Sequence, residues 1–237
     1  MKYDVIIVGA GPGGIYSAYE LMKKCSDKKI AVFDSGYSLK KRHCPIDGEK
    51  VKACIKCKSC SIMSGFGGAG AFSDGKYNIT NDFGGTLYEY IGKKAATELM
   101  QYVDDINMAH GGEGTKMYST AGTNLKKVCL QNRLKLLNAS VRHLGTDINL
   151  VVLGRLYDEL KEHVDFYFES PVSHIECLEN GGYRVWSNDK SYDCEKCIVS
   201  VGRSGSKWME HICKELDIPT KSNRVDLGVR VVLPAVL

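Results

Sequence analysis

The sequence predicts an α/β fold: a parallel sheet with helices on both faces, an antiparallel β-meander, and a cysteine- and glycine-rich middle segment. Three observations carry this expectation. Continuous apolar runs at Val5-Ile6-Ile7-Val8, Ile30-Ala31-Val32-Phe33 and Ile198-Val199-Ser200-Val201 suit strands buried on both faces. Between the first two runs, Ile15, Ala18 and Leu21 recur at helical spacing. Short segments at 172–177, 183–187 and 191–193, with Asn180-Gly181-Gly182 as a turn, read as the meander.

The first 34 residues carry the sharpest signal. Gly9, Gly11 and Gly14 form a G-x-G-x-x-G run between a strand and a helix, with Pro12 and Gly13 inside it. In that context Gly9 permits a tight turn, Gly11 lets a diphosphate approach the backbone, and Gly14 lets the helix pack on the strand. The unpaired N–H groups and dipole of the helix N-terminus then face the diphosphate. Asp34 closes the second strand 20 residues after Gly14, with Ser35 beside it. Its carboxylate is placed to accept hydrogen bonds from ribose hydroxyls, and it disfavours the 2′-phosphate of NADP. The fingerprint specifies a dinucleotide and leaves FAD and NAD open.

Bulk properties exclude other classes. The 237 residues are 43% hydrophobic and 25% charged, ordinary values for a globular chain able to bury one substantial core. The formal charge of +4 is mild, and Lys40-Lys41-Arg42 reads as a solvated edge, so no nucleic-acid partner is expected. No apolar run reaches the roughly 18–20 residues of a membrane span. The run after Asp4 lacks a basic lead and a cleavage pattern, so it reads as a strand and not as a signal peptide. With no export signal and ten cysteines, a cytoplasmic location with thiols or metal ligands is expected.

Three further stretches, GFGGAGAFSDGK, VRHLGTD (141–147) and VDLGVRVVLP (225–234), resemble the uncharacterised FAD-dependent, or NAD(FAD)-utilising, dehydrogenases. The order of strands and meander resembles the wider two-dinucleotide-fold flavoproteins related to glutathione reductase. The resemblance implies flavin redox chemistry on a Rossmann-like fold, with a small-molecule substrate or an electron donor such as NAD(P)H. It implies that the Val172 backbone contacts adenine and that Ser200, Val201 and Gly202 lie near the diphosphate or ribose. The domains expected are a discontinuous FAD-binding unit at 1–43 and 120–237 and an insertion at 44–119.

The insertion opens with Cys44 and the run Cys54-x-x-Cys57-x-x-Cys60. This spacing is that of three corners of a [4Fe–4S] cluster, and four thiolates also suit structural zinc. A redox-active dithiol or a loop of plain thiols are the other readings. Residues 64–76 then hold five glycines in thirteen positions, which implies close backbone approach to something. Gly67, Gly68, Ala69 and Gly70 are expected against the flavin ring, with Ser73 and Asp74 as polar contacts. An amphipathic helix is expected over 85–110, stopped by Gly111-Gly112.

In VRHLGTD, Arg142 is a candidate for stabilising reduced flavin or clamping an anionic substrate, and His143 a candidate proton donor. Thr146 or Asp147 is a candidate cap for a helix burying Ile148, Val151, Val152 and Leu156. The flavoproteins in question carry a Gly-Asp pair near their C-terminus. This chain has no such dipeptide and stops at VRVVLPAVL, so it reads as truncated and is expected to bind FAD weakly. An NAD-binding dehydrogenase, or a non-enzymatic flavin- or metal-binding scaffold with structural zinc, is the rival reading.

Overall fold

Apolar runs bounded by turn residues form the centre of the molecule, seen here in a computed structural model that describes residues 1–179, 181–222 and 227–229. Strand β1 (Lys2–Val8) leads through helix α1 (Pro12–Lys24) to β2 (Ile30–Phe33), the parallel neighbour of β1, with Ile7 opposite Val32. After a long excursion come α5 (Gly145–Leu160) and β6 (Val164–Tyr167), which pairs in parallel with β2. Strands β7 (Val172–Cys177), β8 (Tyr183–Ser187) and β9 (Lys190–Val199) close the sheet in the order β6-β2-β1-β9-β8-β7. Helix α6 (Ser206–Glu215) follows.

The two faces of this sheet bury separate cores. Val5, Ile7, Ile30 and Val32 meet Ile15 and Ala18 of α1 and Val152, Leu156 and Leu160 of α5. Tyr3, Ile6, Val8 and Phe33 meet Ile175, Val185, Tyr192 and Ile212 on the other side. Helices therefore cover both faces, as expected.

The excursion builds a second, smaller sheet. Strands β3 (Lys76–Ile79), β4 (Met117–Ser119) and β5 (Ser140–His143) pair in the order β3-β5-β4, all antiparallel. Helices α2 (Tyr88–Ile91), α3 (Lys93–Asn107) and α4 (Leu125–Gln131) belong to the same excursion, with α3 packed against β3 and α2 against α3. This sheet takes β3 and β4 from 44–119 and β5 from beyond it.

Several expectations are corrected. The helix expected over 85–110 is broken at Gly92, whose φ of 82° no helix accepts, and its last turn widens into a π-type segment over Met108–Gly112. Its buried stripe includes two polar residues, Asp104 and Asn107, because Arg142 and Tyr16 meet them there. The third meander strand and the strand returning to the glycine turn are one ten-residue strand, β9. Helix α5 begins after Leu144 with no side-chain cap: Thr146 and Asp147 lie inside its first turn, and Val151 is exposed. Arg42 is no solvated edge but 5% exposed. The turn residue Asn180 and most of VDLGVRVVLP lie outside the described residues.

The π-type segment is tied down by a charged cluster. His110 bridges the Ile106 carbonyl (2.6 Å) and Glu159 Oε2 (2.7 Å), while Lys23 Nζ meets Glu159 Oε1 at 2.7 Å. The Lys23 contact first, and His110 second, hold the Glu159 carboxyl below its ordinary value of 4.5. A lowered folded-state pKa means stability that is present above the unfolded value and lost as pH falls through the folded one. Unfolding measured from pH 6 downward, a range set by that ordinary value, is expected to lose about 0.5–1 kcal/mol from this cluster, the exposure of the pair limiting its worth. Glu159→Gln should remove that part of the acid dependence.

Candidate functional site

A cleft of about 760 Å³ opens along the C-terminal ends of β1, β2 and β9. That is where open parallel sheets bind ligands. One wall is the turn from β1 into α1. Gly9 takes φ 106°, and a Cβ there would collide with the Ser200 carbonyl. A Cβ on Gly14 would overlap the Gly9 carbonyl, so Gly14 packs the turn and does not line the cleft. Gly11 caps α1 without a side chain, Pro12 opens it, and Ile15 N–H is the first to bond back, to Gly11 O (2.9 Å). The N–H groups of Gly13 and Gly14 ahead of it have no carbonyl partner in the helix.

Asp34 organises the second wall. Its Oδ2 accepts Ala10 N–H (2.7 Å), and its Oδ1 accepts Gly36 N–H (2.7 Å) and Gly65 N–H (2.8 Å). One carboxylate thus ties together the glycine turn, the end of β2 and the glycine-rich loop. A carboxylate has about four acceptor positions, so one stays open at Oδ2. Ser35 lies beside it in the cleft. Ser170, whose N–H meets Asp34 O at 2.9 Å, leads through Pro171 to Val172, and all three line the cleft.

The third wall follows β9. Ser200 N–H bonds the Val8 carbonyl (2.8 Å), and Ser200, Val201, Gly202, Arg203, Ser204 and Gly205 run along the cleft to Trp208. The floor comes from the middle segment: Gly68, Ala69 and Gly70, with Cys57, Lys58, Ser59, Cys60, Met63 and Ser64. Two residues of the cleft lining, Ser59 and Trp208, each bury a polar atom, Oγ and Nε1, with no hydrogen-bond partner among the described residues.

The loop SGFGGAGAFSDGK is held mainly by protein contacts. Gly67 N–H donates to Ala10 O (2.8 Å), which lays the loop across the glycine turn. Gly65 takes φ 106°, and a Cβ there would collide with the Tyr37 carbonyl. Phe66, fully buried, fills the core between Tyr157, Phe166 and Phe168. Arg42 grips the loop from outside: Nε donates to Ser61 O (2.8 Å), Nη1 to Phe66 O (2.6 Å) and Nη2 to Ile62 O (2.9 Å). On the far side, the buried Asn149 amide donates to Gly70 O (3.0 Å) and Ala71 O (3.3 Å). Gly67 itself, Ser73 and Asp74 do not line the cleft; Ser73 Oγ bonds Gly70 O, and Asp74 pairs with Lys76 on the surface.

Arg142 and His143 stand on β5, away from the cleft lining. The Arg142 Nη2 and Nε grip Asp104 (2.8 and 3.0 Å), and Nη1 donates to Thr115 O at 2.6 Å. This pairing raises the Arg142 pKa, hydrogen bonding to Asp104 outweighing burial. The guanidinium thus joins the small sheet to α3. His143 is exposed, its ring 6.5 Å from that of Tyr118. The four middle-segment thiols are not gathered either. Cys57 and Cys60 line the cleft, Cys54 is exposed and Cys44 half-buried. Among the described residues no three His, Cys, Asp or Glu side chains form a metal-ligating group. Residues 44–63 hold no helix or strand that would fix the C-x-x-C spacings toward one point. None of the described helices is long and apolar enough to cross a membrane.

Comparison with known proteins adds the architecture. Glycine oxidase from Geobacillus kaustophilus superposes with a TM-score of 0.51 at 15% identity, over 91% of this chain and 58% of the oxidase. The fold is Rossmann-like. An uncharacterized protein of Clostridium beijerinckii is 24% identical over 236 residues, 99% of this chain. The chain spans 37% of that relative's length. No family model matches.

No pattern in the sequence marks Arg42, Asn149, Ser59 or Trp208. Nothing in Lys-Lys-Arg spacing signals a buried guanidinium, and the orphaned donors become visible only once their neighbours are placed.

Proposed function

We propose that the cleft binds FAD and that this chain is the nucleotide-binding part of a flavin-dependent oxidoreductase. The observation that carries the reading is the composition of the cleft wall. Gly11, Pro12, Gly13, Asp34, Ser35, Val172, Ser200, Val201 and Gly202, expected from sequence to hold the cofactor, all border one cavity. The residues fit the group. Free N–H groups at the start of α1 suit the diphosphate, and the open acceptor on Asp34 suits a ribose hydroxyl. The meander running into β9 supports FAD over NAD, because that order is the feature shared with the flavoproteins the sequence resembles.

FAD, when bound, supplies two-electron or hydride chemistry with a small-molecule substrate. The chain's own residues bind and orient it. Gly68 and Gly70 come to the cleft without side chains, on either side of the small Ala69, steadied by Asn149 and Arg42, and suit close approach to the ring. On this reading 44–119 is an insertion laid over the cleft of a unit formed by 1–43 and 120–237. No step is assigned to a metal at Cys44, Cys54, Cys57 and Cys60, since the thiols do not converge.

Titration of the 237-residue chain with FAD, NAD and NADP, followed by flavin fluorescence and calorimetry, tests the reading. FAD is expected to bind at least tenfold more tightly than either nicotinamide dinucleotide. Preference for NAD, or no binding of FAD by a folded chain, would overturn it.

A further inference from the structure

Outside the cleft, the segment leading through α4 has an unusual surface. From Gly114 to Thr146 there is no Asp or Glu. Lys126, Lys127, Arg133 and Lys135 are exposed, and none forms an ion pair among the described residues. Interleaved with them, Leu125, Val128, Leu130, Leu134 and Leu137 are exposed too, Leu130 and Leu134 by 63% and 62%. A groove of about 520 Å³ runs between Leu130, Leu134 and Leu136, lined also by Lys126, Arg133 and Lys135 and by Asp82, whose carboxylate accepts the Asn138 N–H at 3.0 Å. Single exposed leucines are ordinary, but several along one short segment, around a groove where three cations outnumber the Asp82 carboxylate, mark an interaction surface.

We propose that the 125–137 face docks onto the surface of an anionic phospholipid bilayer. Leucines would enter the boundary between headgroups and acyl chains, and the four cations would meet lipid phosphates. Charge complementarity selects this occupant. A second copy of the chain would set cations against cations, at a cost set by their Coulomb repulsion. An acidic protein would satisfy the cations, yet it would have to cover four exposed leucines and Val128 with matching apolar surface. A bilayer takes both groups without a shaped partner.

Co-sedimentation of the 237-residue chain with phosphatidylcholine vesicles, with and without phosphatidylglycerol, tests this. The chain should pellet with the anionic vesicles, stay in solution with the neutral ones, and be released by salt. Lys126→Gln with Lys127→Gln should lower partitioning about thirtyfold, two cations being removed from the surface. Leu130→Ser with Leu134→Ser should weaken it as well, while far-ultraviolet circular dichroism stays that of the parent. Three results would overturn the proposal: no pelleting with anionic vesicles, equal pelleting with neutral ones, or no effect of the leucine changes. Retention on immobilised polyglutamate without vesicle binding would overturn it in favour of an acidic protein.

Discussion

Asp34→Ala is expected to lower stability by about 3–5 kcal/mol and to abolish FAD binding. The carboxylate accepts N–H groups from Ala10, Gly36 and Gly65, which belong to three separate segments. Alanine leaves all three donors without an acceptor in a partly buried place, and each unmet donor costs about 1–3 kcal/mol. Partial access of water keeps the total below the simple sum. Asn is the informative comparison. Its single carbonyl oxygen can serve Gly36 and Gly65, but its NH2 then faces the Ala10 N–H. Asp34→Asn should therefore cost about 1–3 kcal/mol, less than alanine. Urea unfolding of the free chain separates the two variants without any cofactor. Flavin titration of Asp34→Asn then reads the ribose contact, because the oxygen with a free acceptor position is the one replaced. A stability loss under about 1 kcal/mol for Asp34→Ala would show that water replaces the carboxylate, and that it does not organise the site.

Arg142→Ala should destabilise the chain by about 3–5 kcal/mol, the cost of breaking a buried ion pair from one side. Asp104 is 1% exposed, and Arg142 is its cationic partner, so removing the guanidinium strands a carboxylate in the interior. Lysine is no substitute, since one ammonium cannot grip both carboxylate oxygens and reach the Thr115 carbonyl. Arg142→Lys should recover less than half of the loss. Removing both charges, as Arg142→Leu with Asp104→Leu, should be milder than Arg142→Ala alone, because no unpaired charge remains. Thermal unfolding checks the series. If Arg142→Ala keeps its melting temperature and loses flavin affinity instead, the residue works at the cofactor and the packing role fails.

The parts of the molecule legible in the sequence are those where a local pattern has one physical solution. Val5 to Val8 and Ile30 to Phe33 can bury both faces only inside a parallel sheet, and β1 and β2 pair there. The turn at Gly9 and Gly14 tolerates no Cβ, so its spacing announces the strand–turn–helix by itself. Asp34 at the end of β2 follows from the same count. Where several long-range partners compete, the pattern is silent. The helical period over 85–110 does not reveal that Gly92 breaks the helix, nor that Asp104 turns inward, because Arg142 lies 38 residues away. Lys40, Lys41 and Arg42 look alike in sequence, yet only Arg42 finds three loop carbonyls to hold.

The cysteine run shows the same division. Its spacing is a statement about reach along the chain, and a ligand set needs convergence in space, which no regular element between 44 and 63 enforces. The glycine-rich loop after it lies between these cases. Its glycines announce close backbone approach, and the fold supplies neighbours at two of them: Tyr37 at Gly65, and Gly11 at Gly68. The strands, the glycine turn and the acid at the end of β2 follow from local pattern alone, since each answers to neighbours within a few tens of residues. Which polar side chains are buried, and which of them meet a partner, depends on segments brought together from across the chain, so no local pattern carries it.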